Sequence, residues 1–260
     1  MHKFLIGIAS AAFLTAPALA ADLPVKAQPA PEVFSWSGFY IAVAGGWRHN
    51  RVDWDYTNPI PASLSPFRNG NDTGSLAFIS GAQRQFGFVV LGVESSTDIS
   101  LGRGFGSTVG SPAGGPCIAS ATTACQTRLV GAIFTVGGKA GLAWNNFMFY
   151  GTGGFARGRI ETRLNNVGGP FDQTVHSHNG WYAGGGIDYM VWQSAGTAIL
   201  LGVEYQHVDL RTENHRSVLD GFGACPPGIN CRDVSATVDT VRARLTVKYG
   251  PDPLGLLGGF

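Results

Sequence analysis

Apolar and polar residues alternate with a period of two along much of this chain, between residues 36 and 249. The pattern is cleanest at 241–249, where Val241, Ala243, Leu245, Val247 and Tyr249 oppose Arg242, Arg244, Thr246 and Lys248. At 88–100, Val89, Leu91, Val93, Thr97 and Ile99 oppose Gly92, Glu94, Ser96 and Asp98. At 36–48, Phe39, Ile41, Val43, Gly45 and Trp47 oppose Gly38, Tyr40, Ala42, Ala44 and Gly46. Successive strand side chains point to opposite faces, so each stretch predicts a strand with two unlike faces. Further strands are read at 127–144, 147–157, 179–190 and 197–209. One at 75–85 has faces that hardly differ and is placed because its neighbours need a partner. The total is eight, an even number as bacterial membrane barrels require.

The connections sort by length. Three are short, at Phe86-Gly87, Asn145-Asn146 and 193–196, whereas four are long, at 50–74, 102–126, 158–178 and 210–238. Short turns at one end and long loops at the other are the asymmetry of an outer-membrane barrel. With eight strands both termini fall at the short-turn end, read as periplasmic, and the long loops are read as extracellular. Aromatics gather at the ends of the strands. Phe34, Trp36, Phe86, Phe88, Trp144, Phe147, Phe149, Trp192 and Tyr249 fall towards the short-turn rim. Trp47, Trp54, Phe155 and Trp181 fall towards the other. They predict two aromatic girdles at the membrane interfaces.

Composition agrees with this reading. Hydrophobic residues make up 44% of the chain and charged ones only 13%, about half the usual soluble share. After the N-terminus no apolar run approaches the roughly 20 residues of a helical span; the longest, 86–93, stops at Glu94. Residues 1–20 read as an export signal: Lys3, an apolar run from Phe4 to Leu14, and the small-x-small site Ala18-Leu19-Ala20. Residues 21–33, with Pro24, Pro29 and Pro31, read as a periplasmic linker, 34–249 as the barrel and 250–260 as a C-terminal extension. A formal net charge of +1 gives a nucleic-acid partner no electrostatic support.

An eight-stranded barrel has room inside for side chains or one small ligand. The inner face is expected to carry Arg48, Glu94, Asp98, Lys139, Asp188, Glu204, Arg242, Arg244 and Lys248. Buried charges must pair, and both signs are present, so a filled lumen is expected. Cys117, Cys125, Cys225 and Cys231 fall in expected loops of an exported chain, which points to disulfides. Three pairings are possible; the local ones, Cys117 with Cys125 and Cys225 with Cys231, close the smallest loops. His176 and His178 could offer two imidazoles to a metal or haem, although loop histidines are usually plain polar surface. No P-loop, HExxH or GxSxG motif occurs, so no catalytic residue or cofactor is assigned and an enzyme is not expected.

Several stretches resemble the small surface-antigen barrels of Gram-negative outer membranes, a "porin family" related to OmpA-like domains. Trp36-Ser37-Gly38-Phe39-Tyr40-Ile41 resembles their opening, and 87–94, ending Val-Leu-Gly-Val-Glu, their third strand. Tyr150-Gly151-Thr152-Gly153-Gly154 is similar to the fifth, Gly202-Val203-Glu204-Tyr205 with Val208-Asp209-Leu210 to the seventh, and 240–249 to the eighth. The resemblance implies an outer-membrane structural or surface-antigen role, a lipid environment and a barrel-assembly machinery as partner, with haemin binding in some members. Two features depart from it: residues 250–260 follow the terminal aromatic Tyr249, and Arg244 stands where a small residue is usual. The alternatives are a narrow porin or haem-binding surface protein, and a soluble periplasmic ligand-binding β-barrel with large apolar residues facing inward.

Overall fold

Ten strands and tight turns make up nearly all of the described residues. The computed structural model describes residues 34–58, 67–102, 106–108, 124–166, 169–194, 196–215 and 231–250. The strands are β1 (Gly38–Asn58), β2 (Phe67–Phe86), β3 (Val89–Ser100), β4 (Gly106–Thr108), β5 (Ala124–Leu129), β6 (Ala132–Trp144), β7 (Phe147–Asn166), β8 (Gly169–Ser194), β9 (Thr197–His215) and β10 (Cys231–Tyr249). β5 and β6 are two lengths of one stave, broken at Val130 and Gly131, where Gly131 takes φ +74°. Both pair with β7, and β4 only extends the rim by pairing with β5.

Every neighbouring pair among the described strands is antiparallel. β1 pairs with β2, β2 with β3, β3 with β6, and so on to β10, which returns to pair with β1 from Phe39↔Tyr249 upward. The sheet therefore closes into a ring of eight staves, which leaves no unpaired seam around the belt, although β4 and residues 67–73 of β2 are paired on one side only above it. The expected short turns are present. Asn145 has φ +53° and Gly87 φ +62°, the left-handed conformations that two-residue hairpins need and that Asn and Gly adopt most readily.

The staves are longer than the alternation pattern suggested. β8 runs for 26 residues and β7 for 20, whereas about 9–11 suffice to cross a bilayer. Residues 50–58, 67–74, 158–166, 169–178, 210–215 and 231–238, all expected in loops, are therefore strand. The reason is an inversion of phase. Up to Trp47, β1 turns apolar residues outward (Ile41, Val43, Trp47); beyond it Arg51, Asp53 and Asp55 point outward while Val52 and Trp54 are buried inside. β10 does the same: Val241, Leu245 and Tyr249 face out, then Asp239 and Asp233 do, with Val234, Ala236 and Val238 inside. Below the switch the barrel is apolar outside, as lipid requires. Above it the barrel is apolar inside, as water requires.

Candidate functional site

Even-numbered positions of β1, β3, β7, β9 and β10 point into the lumen, and they fill it in layers. At the short-turn end Trp36, Val90, Met148, Ala198 and Leu200 form an apolar floor, with Phe34 and Met190 packed against it. Near the other end Val52, Trp54, Ile133, Ile160, Tyr182, Leu210 and others form an apolar cap. Between them lies the charged layer, and all nine residues expected on the inner face are buried there or at its margin.

The network has one hub. The Glu204 carboxylate accepts hydrogen bonds from Arg242 Nε (3.1 Å), Arg242 Nη2 and Arg244 Nη1 (2.9 Å), and from the Tyr150 hydroxyl (2.8 Å). Arg244 also reaches Glu94 Oε2 through Nη2 at 2.8 Å. Arg242 Nη1 lies 3.4 Å from Asp98 Oδ2, whose other oxygen takes Arg48 Nη1 at 3.2 Å. Lys139 Nζ is 3.5 Å from Asp188 and 3.9 Å from Glu94. Arg48, Lys139, Arg242 and Arg244 thus meet Glu94, Asp98, Asp188 and Glu204, and the layer is electrically neutral. Lys248 stands apart at the floor, donating to the Ser37 carbonyl oxygen at 2.7 Å beside the Phe34 ring. Multiple charge-assisted bonds of this kind are what make a buried charge tolerable.

Two tyrosines missed by the sequence reading complete the layer. Tyr40 donates to Glu94 as Tyr150 does to Glu204, each at 2.8 Å and each 54 residues ahead of its acceptor. Lys139 Nζ sits between the two rings, 5.0 Å from one centroid and 3.9 Å from the other. Each ring lies over a glycine on the next stave, Gly81 or Gly186, where a Cβ would approach the ring to 2.4 Å or 2.8 Å. The arrangement is a pseudo-repeat of β1–β3 in β7–β9. Its signal in the sequence is Leu-Gly-Val-Glu, written once at 91–94 and again at 201–204.

The girdle residues divide. Phe86, Phe88, Trp144, Phe147, Phe149, Trp192, Tyr249, Trp47, Phe155 and Trp181 are exposed on the outer surface, Trp144 to 70% and Trp47 to 61%. Trp192 reaches it through a bulge between Met190 and Trp192 that shifts the phase of β8. Trp36 and Trp54 do not belong to the girdle: they are 1% and 0% exposed, one in the floor and one in the cap. Phe34 joins them, edge-on to Trp36 at 4.8 Å. All three are even-numbered, and the parity that puts Tyr40 inside puts them inside too.

The histidines expected in loops lie on strand extensions. His178 Nε2 meets His215 Nε2 at 2.8 Å, His178 Nδ1 meets the Arg211 carbonyl oxygen at 2.9 Å, and His215 Nδ1 meets Thr162 Oγ1 at 3.1 Å. His176 stacks on His215 at 4.9 Å between ring centres. Both ring nitrogens of His178 are thus engaged, and among the described residues no group of three or more His, Cys, Asp or Glu is arranged to hold a metal ion. Burial lowers the His178 pKa, opposed by the Arg211 carbonyl bond and Glu213 and reinforced by His176. A lowered histidine favours the neutral folded form, so its contribution to stability is complete above about pH 6.5 and is lost as pH falls below that. Amide exchange at 174–178 and 207–215, corrected for intrinsic rates, should therefore quicken at pH 5 relative to pH 7.5. In H178Q the difference should vanish; an unchanged difference there would clear His178. Cys125 pairs with Leu164 across β5 and β7, and Cys231 with Asn58 across β10 and β1. Cys117 and Cys225 lie outside the described residues, as do 1–33 and 251–260.

No family model matches the chain. It is 26% identical over 239 residues to the 31 kDa outer-membrane immunogenic protein of Brucella melitensis, covering 85% of this chain and 92% of that protein. The chain is an outer-membrane β-barrel. A closed antiparallel ring with an apolar exterior, together with similarity over 85% of the chain to an outer-membrane immunogenic protein, carries that conclusion. It also removes the soluble alternative, because the belt places large apolar residues outward. Among solved structures, this outer-membrane barrel overlaps Ail of Yersinia pestis, in complex with a heparin analogue, at 10% identity with a TM-score of 0.40, covering 80% of this chain and 99% of Ail. It overlaps the outer membrane protease OmpT of Escherichia coli at 8% identity with a TM-score of 0.42, covering 80% and 96%.

Proposed function

We propose that this outer-membrane barrel is a sealed structural and surface-display protein, with its termini in the periplasm and its long strand extensions outside the cell. The observation that carries the reading is the layered lumen, in which a neutral ion-pair network lies between an apolar floor and an apolar cap. Ions entering from either side must pass an apolar layer, marked at the floor by Lys248 alone among the described residues, before reaching the paired charges that could replace their hydration, which disfavours a conducting pore. Purified protein in planar bilayers should show no steady conductance; large stable nanosiemens steps would overturn the sealed lumen and favour a porin.

A non-catalytic role fits the same geometry. His49 with Asp72 and His207 with Asp239, two histidine–carboxylate pairs, lie on the outward face, not at a mouth where nucleophile, base and orienting group could converge. The haem-receptor alternative loses support from the engagement of both His178 nitrogens. Lipid is the partner of the belt. The outward Tyr249 that ends β10 is the feature an assembly machinery would read.

A further inference from the structure

Above the belt the outward face is uneven in charge. The extensions of β9, β10, β1 and β2 turn Asp53, Asp55, Asp72, Asp209, Asp233 and Asp239 outward, outnumbering the exposed Arg51, Arg68 and Arg211 among them. On the opposite side β7 carries Arg157, Arg159 and Arg163 on one face, and β5 adds Arg128. Glu161 lies in this ladder, 1% exposed, accepting from Arg128 Nε at 2.6 Å, Arg163 Nε at 2.5 Å and Gln173 Nε2 at 2.6 Å. Glu161 is thereby taken. Arg157 and Arg159 remain exposed, with no carboxylate partner among the described residues.

Their height matters as much as their charge. Arg157 pairs across the strands with Phe134 on one side and Asn179 on the other. Two residues below, Phe155 pairs with Val136 and Trp181, and Phe134, Val136, Phe155 and Trp181 are all exposed at 42–44%. Arg159 pairs with Ser177. Same-face residues two apart on a strand stand about 7 Å from one another. Two guanidiniums, an amide and a hydroxyl therefore rise directly from an apolar shelf, at the level where lipid tails give way to headgroups.

We propose that Arg157 and Arg159, with Ser177 and Asn179, bind the phosphate groups of lipopolysaccharide, whose acyl chains lie over Phe134, Phe155 and Trp181. The guanidinium fork matches phosphate oxygens two at a time, which an ammonium cannot do. Anionic headgroups supply that chemistry at this depth all around the barrel. A second copy presenting its aspartate face is the weaker fit, since it would have to align two tilted cylinders to reach the same arginines. Assignment to the outer-leaflet lipid rests on the orientation proposed above; the phosphate chemistry does not.

The test is retention of radiolabelled deep-rough lipopolysaccharide on the immobilised full chain, refolded in zwitterionic micelles. Wild type should retain it, and R157Q/R159Q should weaken retention about tenfold or more while keeping the boiling-dependent gel shift of a folded barrel. Removing the lipid A phosphates should have the same effect, and D53N/D55N should have none. Equal retention of the dephosphorylated lipid, or by R157Q/R159Q, overturns the site. So does lipid-independent self-association abolished by both charge variants, which would assign the arginines to a second copy. Micelles are blind to orientation in the cell, so failure here leaves the topology standing. Failure of whole-cell labelling at a residue above the belt would do the reverse.

Discussion

Replacing Glu204 with leucine should destabilise the barrel by about 3–5 kcal/mol, the cost of leaving buried charges unpaired. Glu204 is fully buried and holds Arg242, Arg244 and the Tyr150 hydroxyl at once. Without it, Arg242 keeps Asp98 at 3.4 Å as its carboxylate partner, and Arg244 keeps the Glu94 carboxylate and the Thr246 hydroxyl. The layer then holds four buried cations against three carboxylates. The double variant Glu204→Leu/Arg242→Met should recover much of the loss, although it removes more polar contacts than the single one. It leaves Arg244 with Glu94, Arg48 with Asp98 and Lys139 with Asp188, three balanced pairs. Recovery stays incomplete because the Tyr150 hydroxyl has lost its acceptor, an orphaned donor costing about 1–3 kcal/mol. Urea titration in lipid vesicles, read by tryptophan fluorescence, measures both. A single-variant loss below about 1 kcal/mol would show that water reaches the layer and that the lumen is not sealed.

That hub shows what the sequence made legible. Parity alone puts Glu94, Glu204, Arg242 and Arg244 on one side of their strands, and a closed sheet turns that side inward. Arg244 departs from the small residue usual in resembling chains, and it bridges the two repeats by bonding Glu94 and Glu204 together. What parity could not show is where its own meaning reverses. Above Trp47 the outward face turns from apolar to polar while the strand goes on, so a reading tuned to outward apolar residues takes Val52 and Trp54 for loop. The same blind spot put Trp54 in a girdle, whereas Trp36 was misplaced by its closeness to the rim although its parity already turns it inward.

Phase shifts hide the rest. On β9 the inward residues are even-numbered from Glu204 to Leu210, yet His215 is buried inside. A bulge opposite Val234 and Ala236 inserts one residue into β9, and the extra residue turns the odd position inward. The His178–His215 contact exists only because of that insertion. Nothing in the local composition announces it. Tyr40 and Tyr150 are a different case, because the repeated Leu-Gly-Val-Glu carried the information and only a comparison of the chain with itself would have exposed it.

Substituting Val203 with arginine should cost about 2–4 kcal/mol in vesicles, as an arginine at the bilayer midplane does on other barrels. Val203 is 59% exposed and lies outward between Ile187 and Ala243, far from either rim. A belt about 25 Å tall leaves its headgroup no short route to water. Thr237→Arg, on the outward face of β10 above the switch in phase, should change stability by no more than about 0.5 kcal/mol. Equal effects at the two positions would mean that the apolar surface does not sit in lipid, whatever its composition. The comparison isolates facing and depth from residue type. Arg242, opposite Glu204, the residue that follows Val203 in sequence, lies at the same depth and is held in place by its carboxylate partners, since its side chain points inward. Moving that charge one position along the next strand, to Val203, exchanges an ion pair for hydrocarbon, and the alternation that defines the fold is the only thing separating the two outcomes.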